Sequence, residues 1–168
     1  MNKYMPSFAA YLHRRPDAYA VLNGSRSYPE IRGEVYFYTT PVGVIVAVTA
    51  EGLPKPTEPC HSPIFALHIH DGAGCYGTPS DPFSGAGMHY DPGGCPHPYH
   101  AGDLPPLFGA DGYAFGVVLT DRFTVEEIIG KTVVIHSSPD DFTTQPSGNA
   151  GARIACGEII SRLRKARW

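Results

Sequence analysis

The chain's chemistry is concentrated in its histidines. In His68-Ile69-His70, residues i and i+2 of an extended strand share a face, so two imidazoles stand side by side while Ile69 points the opposite way, into the core. One His-x-His pair is a weak signal by itself. Its surroundings strengthen it: His89, His97, His100 and Asp103 supply three nitrogens and one oxygen within 15 residues, the donor set of a tetrahedral zinc site. Gly87, Pro92, Gly93, Gly94, Pro96 and Pro98 interleave these donors and bend the chain back repeatedly. His136 closes the run Thr132-Val133-Val134-Ile135, with Ile135 facing inward and the imidazole outward, toward His68 and His70. A tetragonal, all-nitrogen set of that kind favours copper. Asp140 has two readings: a carboxylate that fixes the tautomers of ligand histidines, or a turn residue in Pro139-Asp140-Asp141.

The elements that must position these groups are strands. Gly 19 and Pro 17 are high, Tyr 10 exceeds Phe 8, and the apolar runs are short and rich in Val and Ile, so an all-β protein is expected. The 168 residues suffice for one domain spanning 1–168 with a full core. Strands are predicted over 18–22, 33–40, 43–50, 64–70, 113–119, 132–136 and 153–160, with an eighth left open. Pro41-Val42 makes a hairpin of the second and third, whose nearly continuous apolar content suits a sandwich interior with part of the outer face also covered. Residues 1–17 read as an irregular lead-in or short helix, and Thr124-x-x-Glu127 can cap one helical turn. Residues 71–112 and 137–152 read as two long loops, and a loop of the first one's length needs something such as a metal to pin it.

With a net charge of -3 and no basic stripe, nucleic acid is not an expected partner. The basic tail Arg162, Arg164, Lys165 and Arg167 reads as a solvated end. No run approaches the ~20 apolar residues of a membrane span, and residues 1–10 lack a signal peptide's apolar stretch, so a cytoplasmic protein is expected. Cys60, Cys75, Cys95 and Cys156 pull the other way, because disulfides persist in oxidising compartments. An exported form that has lost a leader therefore stays open.

With these residues assembled, the stretch 33–159 resembles the copper/zinc superoxide dismutase family, in its bacterial type with a short zinc loop. The carriers are His68-Ile69-His70, Gly87-Met88-His89-Tyr90-Asp91-Pro92, His100-Ala101-Gly102-Asp103-Leu104, Val134-Ile135-His136, Asp140-Asp141 and the run from Gly148 through Arg153 to Gly157. Residues 1–32 match only loosely. The resemblance implies an eight-stranded Greek-key β-barrel, with copper on His68, His70, His89 and His136 and zinc on His89, His97, His100 and Asp103. His89 is then the shared ligand, and Asp140 links His68 to His97. It further implies Arg153 as the residue that guides the superoxide anion, where the bare sequence offers a surface strand arginine, and a Cys75–Cys156 disulfide that positions it.

His97 and His100 stand three residues apart, tighter than the family's usual spacing, so the zinc site depends on whether this trimmed segment can wrap one ion. Cys60 and Cys95 are left over, either as a second bridge or as two free thiols. The implied reaction takes two superoxide anions and two protons to dioxygen and hydrogen peroxide by cycling Cu(II)/Cu(I), with His89 as both ligand and proton donor. Superoxide is the expected substrate, no membrane partner is expected, and a homodimer is left open. A non-catalytic copper/zinc-binding or copper-delivery protein on the same fold is the alternative reading. A cupin-like oxygenase lacks its glutamate ligand here. Superoxide dismutases are a standard instance of electrostatic steering, yet residues 137–152 contain no lysine, so a shallow dependence of rate on ionic strength is expected.

Overall fold

A computed structural model describes residues 7–58 and 63–162. The strands are β1 (Ala18–Gly24), β2 (Arg32–Thr40), β3 (Gly43–Glu51), β4 (Ile64–His70), β5 (Asp103–Ala110), β6 (Tyr113–Thr120), β7 (Thr132–His136), β8 (Arg153–Glu158) and the two-residue β9 (Ile160–Ser161). All pairings are antiparallel, and the order β2-β3-β6-β5-β4-β7-β8-β1 closes on itself because β1 also pairs with β2. The crossovers, with β3 beside β6 and β4 between β5 and β7, make this a Greek-key barrel of eight strands. β9 adds to β1 through Tyr19 and Ile160.

Alternation explains the core. Ile69, Val133, Ile135 and Ala155 point inward with Val35, Phe37, Val46, Val48, Phe65 and Leu67, while His68, Val134, His136 and Cys156 occupy the outer face of the same strands. That outer face is itself buried, which is why β4 and β7 read as continuous apolar runs: Phe83 and Ala86, from a 3-10 turn region after β4, pack on Val134 and Cys156. The predicted cover over the second and third strands is Tyr11 of the short helix α1 (Phe8–Leu12), which packs with Tyr38, Ile45 and Ala47. Pro41 and Val42 form the expected hairpin loop, with Thr40 opposite Gly43. Thr124 and Glu127 complete a reciprocal capping box on helix α2 (Val125–Ile128).

One expectation is corrected. Residues 71–112 are not one loop, because 103–110 form β5. Pro105-Pro106 hides this strand, since proline cannot donate to a ladder. The structure resolves the conflict with a bulge: Phe65 pairs with Leu107 and Leu67 with Leu104, leaving Ala66 opposite the prolines, and the Ala66 N–H donates instead to Ser138 O at 2.8 Å. This bond also ties the second functional loop to β4.

Candidate metal centre

His68 and His70 project from the outer face of β4, opposite Val134 and Thr132 of β7. A bulge between Ile135 and His136 sets His136 across from Arg153, turning its ring toward the β4 histidines and placing the guanidinium beside the same site. His89 arrives on a segment hydrogen-bonded along β4: Asp71 N donates to Met88 O, His70 bridges to His89, and Tyr90 N donates to Ile69 O at 2.8 Å. The chain then returns past the same residue, with Ile69 N donating to Gly102 O. Only glycine fits there, because a Cβ on Gly102 would lie 2.2 Å from Ile69 O.

The result is two buried donor groups that share one residue. The ligand atoms of His68, His70, His89 and His136 lie within 4.8 Å of one another, and so do those of His89, His97, His100 and Asp103. The trimmed segment therefore does close: Asp103 Oδ2 lies 3.1 Å from His97 Nδ1 and 3.2 Å from His100 Nδ1, while Oδ1 lies 2.8 Å from His89 Nδ1.

On each ring of the first group apart from His89, and on His97, one nitrogen is fixed by an acceptor. His68 Nε2 and His97 Nε2 donate to the two oxygens of Asp140, each at 2.9 Å. His70 Nδ1 donates to Gly87 O at 3.0 Å, and His136 Nδ1 lies 3.4 Å from Gly151 O. The opposite nitrogens carry the message: His68 Nδ1, His89 Nε2, His97 Nδ1 and His100 Nδ1 are buried without a hydrogen-bond partner, and His70 Nε2 faces His136 Nε2 at 3.2 Å. Orphaned buried groups of this kind cost about 1–3 kcal/mol each. Two cations, one in each group, are the partners that four orphaned lone pairs and a facing imidazole pair require, so the residues present fit copper and zinc.

Electrostatics prepare the same state. Burial pushes His70 well below the ordinary imidazole range, and repulsion from His136 adds to this. Burial likewise lowers His68 despite its bond to Asp140, and lowers His136 to about 3, with His68 contributing next. These rings are neutral near pH 7, as metal ligands must be. Burial alone would raise Asp140, but donation from His68, the Phe142 N–H and His97 holds it well below the usual carboxylate range. Asp103 is held low in the same way by its hydrogen bond and charge contact with His89, then by His100 and His97, which outweigh its burial.

A pH dependence follows. A histidine whose folded value is lowered contributes stability that is complete above its unfolded value and is lost as the pH falls toward the folded one. The metal-free protein is expected to lose stability progressively as the pH falls from 6.5 to about 3, read as a falling urea midpoint. A midpoint that stays level or rises over that interval contradicts this burial.

Arg153 is held on three sides: Nη2 donates to Gly87 O at 2.8 Å, and Nη1 to Phe83 O at 3.0 Å and to Asp81 Oδ2 at 3.2 Å. Gly87 O thus serves both Arg153 and His70. The loop carrying these acceptors is anchored by the Cys75–Cys156 disulfide, which closes 81 residues of chain.

The family model described as copper/zinc superoxide dismutase (SODC) matches residues 31–159. The chain belongs to the copper/zinc superoxide dismutase family. It is 34% identical to superoxide dismutase 2 of Aquifex aeolicus over 77% of this chain and 80% of that one. The Deinococcus radiodurans enzyme is 32% identical, over 76% of each chain. Among solved structures, the copper/zinc superoxide dismutase of Brucella abortus superposes with a TM-score of 0.70 at 28% identity, covering 84% of this chain and 98% of that one. A double mutant of a superoxide-dismutase-like protein from Bacillus subtilis gives 0.66 at 28% identity, over 85% and 97%. Copper and zinc are the family's cofactors and dismutation of superoxide is its reaction.

All the ligand residues expected from the sequence, with Asp140, Arg153, Cys75 and Cys156, are thus gathered in one region of this dismutase fold. Cys95 is exposed with a free thiol, and its candidate partner Cys60 lies outside the described residues. Sequence reasoning missed Asp81, Gly87 O, Arg122 and Gln145, which act through backbone or charge contacts made by distant loops and carry no local motif.

Proposed function

We propose that this chain dismutes superoxide at a copper held by His68, His70, His89 and His136, beside a zinc held by His89, His97, His100 and Asp103. The observation that carries this reading is the pair of buried groups with inward-facing, unpartnered ring nitrogens that share His89. Copper, when bound, supplies one-electron exchange with superoxide in both directions, and zinc, which has no redox chemistry, supplies a fixed charge. His89 presents Nδ1 to Asp103 and leaves Nε2 toward His68, His70 and His136. Nε2, buried and without a hydrogen-bond partner, is the atom from which a proton would be passed to the peroxide product. Arg153, one-fifth exposed and directed by Gly87 O, offers the entering anion a fixed positive group beside His70. A delivery protein on the same fold must release its copper. Copper that remains bound through many turnovers, counted after gel filtration, supports the enzyme, whereas copper lost in step with turnover supports delivery.

Steering here is weak by construction. Asp81 faces Arg153, and residues 137–152 hold no lysine. A shallow fall of the rate with ionic strength is expected, and Asp81→Asn should raise the low-salt rate by up to roughly tenfold and steepen that fall. A steep dependence in the parent protein contradicts this assignment.

The same reading includes a homodimer. Phe108 (65% exposed), Tyr113 (60%) and Phe115 (64%) form a contiguous aromatic strip on the β5–β6 hairpin, which a solvated surface does not require. Phe108→Glu is expected to convert a dimer to a monomer in analytical ultracentrifugation. An unchanged sedimentation coefficient rejects this face. Among the described residues no helix is long and apolar enough to cross a membrane. A cytoplasmic location requires the Cys75–Cys156 bridge to persist against a reducing thiol pool.

A further inference from the structure

Gln145, in the loop after β7, faces the backbone of His97 across 48 positions of sequence. Its Oε1 accepts from the His97 N–H at 3.0 Å, and its Nε2 donates to His97 O at 2.7 Å. One side-chain amide thereby satisfies both backbone polar groups of a single residue, as a neighbouring strand would. The ring of the same residue donates from Nε2 to Asp140 Oδ1 at 2.9 Å. His97 is fixed at three atoms by one loop, and its remaining polar atom, Nδ1, is the unpartnered one, 3.1 Å from Asp103 Oδ2. Gly148 makes room for this grip: it has a φ of +67°, and a Cβ there would lie 2.0 Å from Asp140 Oδ1 and 2.6 Å from His97 Nε2. From the other side, Arg122 Nη1 lies 3.2 Å from Pro98 O, 3.3 Å from His100 O and 3.2 Å from Asp103 O.

We propose that Gln145 is a positioning residue for zinc: it holds the trimmed segment 97–103 in the ligating arrangement before the ion arrives. The inference rests on the zinc reading of His89, His97, His100 and Asp103. The segment has no strand partner over 97–102, and its backbone bonds gather at its far end, where Gly102 N donates to Tyr90 O and Gly102 O accepts from Ile69 N, so that the His97 end is held by Gln145. Binding an ion to a mobile segment includes the entropy of ordering it, and a preformed one avoids that cost. Gln145 supplies order without being a ligand. Its own side chain is exposed, so the barrel does not depend on it for packing.

The test is zinc and copper binding by the full chain, measured by competition with a chromophoric chelator, for the parent, Gln145→Ala and Gln145→Glu. Gln145→Ala is expected to weaken zinc about 10–100-fold while leaving copper affinity and the unfolding temperature of the metal-free protein at parent values. Gln145→Glu keeps the acceptor for the His97 N–H but loses the donor to His97 O, so its zinc affinity should fall between the two. Zinc affinities of both variants equal to the parent's overturn the proposal. A parallel loss of copper, or a lowered unfolding temperature, also overturns it by showing general loosening. A parent chain that binds copper but no zinc defeats the zinc reading itself, and this inference with it, which is a different result from a parent that binds zinc and variants that bind it equally well.

Discussion

Replacing His89 by alanine is expected to lower superoxide dismutation per bound copper by at least about a hundredfold, the lower end of what a positioned proton donor contributes. The ring lies between both donor groups, with Nδ1 2.8 Å from Asp103 Oδ1 and Nε2 buried and unpartnered among His68, His70 and His136. Alanine removes one donor from each group at once and leaves three nitrogens in one and two nitrogens with a carboxylate in the other. It also removes the internal proton carrier, so residual activity must draw protons from water and should fall as the pH rises. His89→Ala protein that keeps full, pH-independent activity contradicts the proton role assigned to this ring.

Asp140→Ala should have the second largest effect, and on both metals. Oδ2 accepts from His68 and Oδ1 from His97 and from the Phe142 N–H, so the carboxylate fixes a ring in each donor set and the turn that carries it. Without it, both rings can rotate or take the other tautomer, and affinity for each metal is expected to drop about 10–100-fold. Leaving the buried His68 and His97 N–H groups without their acceptor further costs about 1–3 kcal/mol of folding stability for each. Metal titration followed by urea unfolding of the metal-free protein separates the two. Asp140→Ala protein with parental affinity for both metals removes Asp140 from the account.

The two readings of Asp140 left open by the sequence prove compatible: the carboxylate makes the turn to Phe142 N and spans the two histidines. Its neighbour Asp141 is a turn residue outright, pushed down to about 2 chiefly by hydrogen bonds from the Thr144 hydroxyl and N–H and from the Thr143 N–H. The His68/His70 face and the capping box of Thr124 and Glu127 were legible because each rests on a local period or spacing. β5 was not, since Pro105-Pro106 breaks the strand signature and the compensation, Ala66 donating to Ser138, lies elsewhere in the chain. Asp81 and Gln145 were hidden for a related reason. Nothing near Gln145 in sequence announces a residue 48 positions away, and the Asp81–Arg153 contact spans 72.

The central claim is that the His68, His70, His89 and His136 group makes a turnover centre. Its most direct test is to load the purified chain with copper and zinc, remove free metal with a chelator, count both ions per chain, and follow superoxide decay directly. The account predicts one copper and one zinc per chain and a decay rate proportional to bound copper, well above that of an equal concentration of free copper. Bound copper with decay no faster than free copper gives would contradict it.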